Sequence, residues 1–301
     1  MSVLENRRSR GLVYRSLRAG FRILPESLRQ FLWDLRFSLA DKDTLKLKTE
    51  GYLGKCRCSV CGYRVQHFLP IEPAHQETLR KFGWKFTAAE AETCNTASYL
   101  CPHCGATDRE RLYALYLADY LRAITPNGHV RLIEFAPFVP LSEFIRKLVV
   151  RMPHNISYVT ADLSMEGVDD KVDIMDMKIY ADNSVDFFIC SHVLEHVQDD
   201  RKALSELFRI LKNGGRGILM VPIVLSISEI DEDPSVTDEA ERWRRFGQFD
   251  HVRLYSKQGF LARTQEAGFM THQLGQDYFG PDTFAKYGIT AQSVLYVVEK
   301  K

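Results

Sequence analysis

The sequence predicts a doubly wound α/β fold, with a mostly parallel sheet of seven strands, preceded by a small cysteine-bearing module and a helical arm. Three observations lead there. VDFFIC (185–190) and RGILMVP (216–222) are apolar runs suited to strands buried on both faces. Between them DRKALSELFRILK has the spacing of an amphipathic helix and meets a stop at Gly214-Gly215. Strand and helix patterns then alternate regularly from residue 130 onward. A buried strand, a crossover helix and a second buried strand make one right-handed βαβ unit of a parallel sheet.

Taken in order, residues 1–50 form a basic helical arm. Leu17, Phe21, Leu24, Leu28, Phe31 and Leu35 recur at steps of four and three, and Arg15, Arg18, Arg22, Arg29 and Arg36 occupy the remainder. Pro25 starts a second helix there. Such a stripe fits an arm packed on its own domain, or a segment that meets a membrane surface or a partner protein. Residues 51–106 read as a metal-bound module. Residues 107–124 read as a helix, with Leu112, Leu115, Tyr116, Leu121 and Ile124 near helical spacing, ended by Thr125-Pro126-Asn127-Gly128. Residues 107–301 make up the main domain. VRLIEF (130–135) is its first strand, LSEFIRKLVVRM (141–152) a helix, ISYVTA (156–161) the second strand and KVDI (171–174) a short third. VDFFIC, the crossover helix and RGILMV follow. An irregular acidic segment (226–250) interrupts, before helix SKQGFLARTQEAG and two late strands near 270–274 and 293–299. Five parallel strands with a two-strand end give the doubly wound sheet.

Composition narrows the function. The 301 residues are 45% hydrophobic, enough for a full α/β core plus a small accessory module. A formal charge of +1 argues against a dedicated DNA-binding protein. No run of 18 apolar residues exists to span a membrane, and the N-terminus lacks a secretory h-region. Four of the seven cysteines sit in Cys58-Ser-Val-Cys61-Gly and Cys101-Pro-His-Cys104-Gly. Two such knuckles supply four thiolates for a closed tetrahedral zinc site, and closure leaves no position for chemistry, so the zinc is structural. A redox pair is the alternative reading of each knuckle. Cys56 and His103 are adjacent competitors, while Cys94 and Cys190 read as free thiols. A cytoplasmic setting follows from this cysteine usage. The interleaved segment has few lysines or arginines, which disfavours nucleic-acid docking.

In doubly wound sheets ligands bind at the carboxyl ends of the strands. The first strand ends in Glu134-Phe135-Ala136-Pro137, the second in Ala161-Asp162-Leu163-Ser164, the third in Asp173-Ile174 and the fourth in Cys190-Ser191-His192. An acid at the second tip suits ribose hydroxyls. A carboxylate at the third can accept from an exocyclic adenine amine. The rim therefore suits an adenosine-containing ligand.

From about 130 to 275 the chain resembles the class I S-adenosylmethionine-dependent methyltransferases of the type 11 kind. The resemblance is carried by LIEFAP, YVTADLS, VDIMD, DNSVDFFICSHVLEHV, LFRILKNGG and DHVRLYSKQGFLARTQEAGF. It implies a Rossmann-like sheet with S-adenosylmethionine as cofactor. It also implies that Glu134 orients the methionine amine, that Asp162, followed by Leu163, binds the ribose, and that Asp173 and Ile174 contact adenine. Ser191 and His192 would face both cofactor and substrate. In one respect the chain departs from the family: Ala136, Pro137 and Phe138 stand in slots that are usually glycine-rich, and Pro and Phe resist close backbone approach. A zinc-ribbon-bearing sub-group is similar in having Ala-Pro there.

Methyl transfer from a sulfonium is an in-line displacement that needs proximity and sometimes a base. His192 and His251 are the expected catalytic residues, with His196 as a further candidate and Arg253 and Tyr255 placed to grip a polar acceptor. His192, Glu195 and His196 stand at i, i+3 and i+4, and with His251 could instead hold a divalent metal. Small-RNA and some quinone-biosynthesis O-methyltransferases are similar there, but with Glu at the first position. Otherwise Glu195 caps the following helix and His196 packs. The expected reaction is O-methylation of a small-molecule or saccharide acceptor, since the acidic 226–250 segment disfavours nucleic acid. A non-catalytic partner-binding relative and an RNA methyltransferase are the competing readings.

Overall fold

The computed structural model describes residues 55–124, 128–151 and 156–301; the expected helical arm over 1–50 lies outside the described residues. At the N-terminal side, β1 (Cys56–Arg57) pairs antiparallel with β2 (Arg64–Val65). Helices α1 (Pro73–Lys81) and α2 (Asp108–Ile124) follow. Then come β3 (Val130–Phe135), α3 (Val139–Arg151), β4 (Ile156–Asp162), β5 (Asp170–Lys171), β6 (Val185–Ser191), α4 (Asp200–Ile210) and β7 (Leu211–Met220). The remainder is β8 (Asp231–Glu232), α5 (Glu239–Phe246), β9 (Arg253–Leu254), α6 (Lys257–Glu266) and β10 (Met270–Leu274). Two short helices, α7 (Gln276–Phe279) and α8 (Pro281–Tyr287), lead into β11 (Leu295–Glu299).

Seven strands form the central sheet in the order β5-β4-β3-β6-β7-β11-β10. β5, β4, β3, β6 and β7 are parallel, and β11 runs antiparallel to both β7 and β10. The apolar runs account for the centre: Leu132, Ile133, Phe187, Phe188 and Ile189 are all buried between helical layers. α4 shows why a segment between two strands becomes a crossover. Asp199 caps it by accepting from the Lys202 N–H at 3.0 Å, and Ala203, Leu204, Leu207 and Ile210 make a buried stripe. Each buried leucine contributes about 1.5–3 kcal/mol.

Several boundaries differ from the sequence expectation. α4 stops at Ile210 because Leu211 turns extended and pairs with Val185. The third parallel strand is only Asp170–Lys171, since Asp173 Oδ1 accepts from the Met175 N–H at 2.8 Å and bends the chain into a turn. The acidic 226–250 segment is ordered. β8 pairs with β9, Asp238 caps α5, and Arg245 reaches Asp231 and Asp233.

The cysteine module is knitted into this body. Val60, Val65 and Phe68 pack with Ala106 and with Ala114 of α2. Arg111, fully buried, donates to the carbonyls of Ser98, Tyr99, Ala106, Tyr287 and Gly288 and lies 3.7 Å over the Phe68 ring. Gly288 holds φ +63°, and a Cβ there would lie 2.4 Å from Phe68. Ala91 bridges to Val224, next to the sheet's last parallel strand. Among the described residues no helix is long and apolar enough to cross a membrane.

Candidate functional site

Parallel pairing brings the ends of β3, β4 and β6 to one rim. Two non-glycine residues there adopt left-handed backbone, Ala136 at φ +49° and His192 at φ +55°, each directly after its strand. Such conformations cost of order 1 kcal/mol and tend to cluster at functional turns. Ala136 thus takes the conformation that glycine normally supplies. Its N–H donates to Ala161 O at 2.9 Å, and that of His192 to Met220 O at 2.8 Å.

The rim acids differ in what they do. Glu134 is buried and accepts from Ser142 Oγ at 2.7 Å, from the Tyr158 hydroxyl and from the Phe138 N–H at 3.2 Å. Its carboxylate organises the turn after β3, and burial pushes its pKa up. Asp162 Oδ1 accepts from the N–H groups of Ser164 and Met165 at 2.8 and 2.6 Å, fixing a turn that leaves Leu163 66% exposed. Asp173 sits next to it, since Val172 N–H donates to Asp162 O, and Ile174 is buried beneath. Leu163 thus presents exposed apolar surface beside the Asp162 carboxylate, chemistry that suits a nucleoside. Pro137 is buried behind Ala136.

Helix α2 supplies two groups that the sequence reading missed. Tyr113 OH lies 2.9 Å from Ser191 Oγ, and Arg109 Nη1 lies 2.5 Å from His192 Nε2. These residues are one turn apart on the helix. The only hint in the sequence is the crowding of charge in TDRERLY, whose Asp108, Glu110 and Arg111 are all buried. The base role expected of His192 needs a free ring nitrogen, and its Nε2 accepts from Arg109. Its Nδ1 lies 3.1 Å from Glu195 Oε1. Burial, with Arg109 second, holds the His192 pKa below its ordinary value.

His192 to His196 form a turn rather than a helix, and α4 is capped by Asp199, not by Glu195. Glu195 is completely buried, and both its carboxylate oxygens lack a hydrogen-bond donor: the nearby His192 nitrogen is close but off line. His251 meets His196 edge to face at 4.7 Å and directs Nδ1–H to Phe246 O at 3.1 Å. Burial lowers its pKa to about 4, so its ring is neutral near pH 7. Arg253 and Tyr255 face inward and cannot grip an acceptor. Arg253 donates to the carbonyls of Leu194, Val197 and Gln198, and Tyr255 to Asp200.

The four knuckle cysteines converge. Cys58 Sγ lies 3.7 Å from Cys104 Sγ, Cys61 Sγ lies 3.9 Å from Cys101 Sγ, and all four lie within 4.8 Å of one another. Bonds of about 2.3 Å to a tetrahedral zinc put sulfurs roughly 3.8 Å apart, so the set fits zinc. Gly62 and Gly105, at φ +78° and +74°, return their N–H groups to Cys58 O and Cys101 O in matching turns. Cys56, Cys94 and Cys190 stand outside the set, and burial raises the Cys94 thiol to about 11.

Residues 149–219 match the family model of a methyltransferase domain. That stretch runs from the end of α3 to β7 and holds Asp162, Asp173, Ser191 and Glu195. None of the curated proteins searched matches the chain. Among solved structures, the CurJ carbon methyltransferase is similar at 14% identity over 63% of this chain, with a TM-score of 0.42. The chain spans 53% of that protein's length. The [4+2]-cyclase SpnF is similar at 16% identity over 62% of this chain and 80% of its own, with a TM-score of 0.38. The YcgJ protein of Bacillus subtilis is similar at 14% identity over 62% of this chain and 99% of its own, with a TM-score of 0.36.

Proposed function

We propose that the chain is an S-adenosylmethionine-dependent methyltransferase that methylates an oxygen of a small molecule or saccharide in the cytoplasm, with zinc held by Cys58, Cys61, Cys101 and Cys104. One coincidence carries this reading. The stretch that matches a methyltransferase domain is the stretch that delivers the carboxylates of Asp162 and Asp173 and the Ser191 hydroxyl to one rim. Asp162 accepts from the ribose diol through the oxygen its turn leaves over, Leu163 covers the adenine, and Asp173 and Ile174 flank it. Ala136 and Pro137 shape the turn beneath the methionine part, which Glu134 holds in place from behind. The cofactor supplies an electrophilic methyl group for in-line displacement. The Glu195 carboxylate, 3.1 Å from His192 Nδ1, favours the imidazolium by its charge, and Nε2 takes the acceptor's proton once Arg109 moves aside. His251 backs this turn from the far side of Glu195. The 226–250 segment holds eight acidic residues against three arginines, and that excess of negative charge disfavours nucleic-acid phosphates.

Calorimetry with S-adenosylmethionine on the full chain tests the reading. Saturable binding is expected, and Asp162→Asn, which keeps an acceptor for the turn, weakens it about 10–100-fold. Absence of heat with folded protein overturns the enzymatic reading. It favours instead a partner-binding protein of the same fold, which the internal saturation of Glu134 by Ser142 and Tyr158 supports.

A further inference from the structure

Arg109 is a cation whose hydrogen-bonding capacity is mostly unused. It stands in the first turn of α2, where the helix dipole opposes positive charge, so its own helix gains nothing from it. The side chain is half-buried, and its one hydrogen bond among the described residues joins Nη1 to His192 Nε2 at 2.5 Å. Nε is buried with no acceptor, and Nη2 has none among the described residues. The acids on either side in sequence are engaged elsewhere. Glu110 Oε2 accepts from the Thr107 N–H and hydroxyl at 2.7 and 2.6 Å, and Asp108 Oδ2 accepts from the Asn95 N–H at 2.5 Å. Asp108 Oδ1 is buried with no donor, so it does not bond the guanidinium. Nε and Nη2 share one edge of the planar fork, and that edge matches the two oxygens of a carboxylate.

We infer that Arg109 docks a carboxylate of the methyl acceptor, which makes the acceptor a hydroxy acid. The inference rests on the methyl-transfer reading and narrows its substrate. Position favours the acceptor over the cofactor. Arg109 lies against His192, the expected base, and Tyr113, one turn along α2, lies 2.9 Å from Ser191 Oγ. Glu134, to which the methionine part is assigned, is engaged by Ser142, Tyr158 and Phe138 and makes no contact with Arg109. Charge favours a carboxylate over a phosphate. No other lysine or arginine among the described residues contacts Ser191, His192 or Tyr113, and one guanidinium balances one carboxylate. A phosphate monoester brings about −1.5 to −2, which would leave negative charge over beside Asp108, Glu110 and Glu195. Two hydrogen-bond lengths put a carboxylate on the free edge within roughly 5 Å of a hydroxyl at His192 Nε2. Hydroxyl and carboxylate are therefore near neighbours on one skeleton, as in a short hydroxy acid or a uronic acid. Drawing the guanidinium toward the acid releases Nη1 from His192, so the base is freed when its substrate is in place. The mount is firm. Arg109 follows Cys104 by five residues, and Ala106 O between them accepts from the Cys101 N–H at 2.8 Å and from Arg111 Nη1 at 3.1 Å. The cysteine module thereby holds the start of α2, and the docking group with it.

The test is proton–nitrogen NMR of the full chain, with arginine and histidine labelled and sodium acetate as the probe. The Arg109 Nε–H signal is assigned by its nuclear Overhauser contact with the His192 ring, so the wild-type titration needs no variant to fold. Acetate is expected to shift that signal and the His192 Nε2 resonance together and saturably, with and without S-adenosylmethionine, while sodium chloride shifts neither. Arg109→Lys, which keeps the charge and loses the fork, weakens acetate about 10-fold as read on His192. A wild-type chain with no saturable shift overturns the inference, as does an equal shift with chloride or tighter binding of inorganic phosphate than of acetate. A full shift by S-adenosylmethionine alone, leaving acetate without effect, overturns it too, because the anion is then the cofactor's own carboxylate. If S-adenosylmethionine fails to bind while acetate shifts both signals, the methyl-transfer reading falls and the carboxylate site stands, so the two failures are told apart.

Discussion

At position 136 the backbone turns left-handed on a residue that carries a Cβ. Glycine would adopt φ +49° without the side-chain clash, at the expense of a more flexible unfolded chain. Ala136→Gly is therefore expected to stabilise the fold by about 0.5 kcal/mol, read as a higher urea midpoint at unchanged slope. Residue types at the strand tips were legible in the sequence, because a parallel sheet delivers each tip to one rim: Asp162, Asp173, Ser191 and His192 all arrive there. What each side chain binds was not legible. Arg109 lies 83 residues before the histidine whose nitrogen it contacts, and no local pattern encodes that meeting. Nor did spacing reveal which acid caps α4. Asp199 does so because the Lys202 N–H falls three residues on, while Glu195 belongs to the preceding turn.

Elements with strong apolar periodicity were read well, and those held by ions were not. β3, β6 and α4 bury the residues their patterns marked. The 226–250 segment looked irregular because it has almost no apolar period, and its order comes from guanidinium groups on distant elements. Glu232 on β8 accepts from Arg263 at 2.5 Å and from Arg253 at 3.3 Å. Burial raises the Glu232 pKa, but the two guanidiniums outweigh it and hold the carboxyl below its ordinary 4.5. A depressed carboxyl contributes its stability above the unfolded value and loses it as pH falls through the folded value. Glu232→Gln is expected to cost about 1–2 kcal/mol at pH 7, a figure reduced for partial exposure. It also flattens the decline of stability between about pH 5 and pH 3, measured by denaturant unfolding at each pH. An unchanged acid limb would show that the pairing carries no stability.

Across the whole molecule, the boundary at residue 106 is chemical rather than mechanical. Sequence spacing marked off the cysteine module, yet Arg111 joins it to α8 through carbonyls at 98, 99, 106, 287 and 288. Contacts between segments so far apart leave no trace in periodicity. Arg111→Met should cost about 3–5 kcal/mol by stranding those carbonyls, and Arg111→Lys should not rescue it, since an ammonium cannot span the planar fork. Hydrogen exchange is the check: residues 98–106 and 281–288 are expected to lose protection together, and independent loss would refute the coupling.

β11 enters the sheet between β7 and β10, so it is the last strand to arrive and yet an interior one. Until residues 295–299 emerge from the ribosome, β7 keeps an open hydrogen-bonding flank, and such flanks recruit neighbouring chains. The nascent polypeptide is consequently most prone to aggregate just before its sheet can close, which makes that interval the one where a molecular chaperone has most to protect.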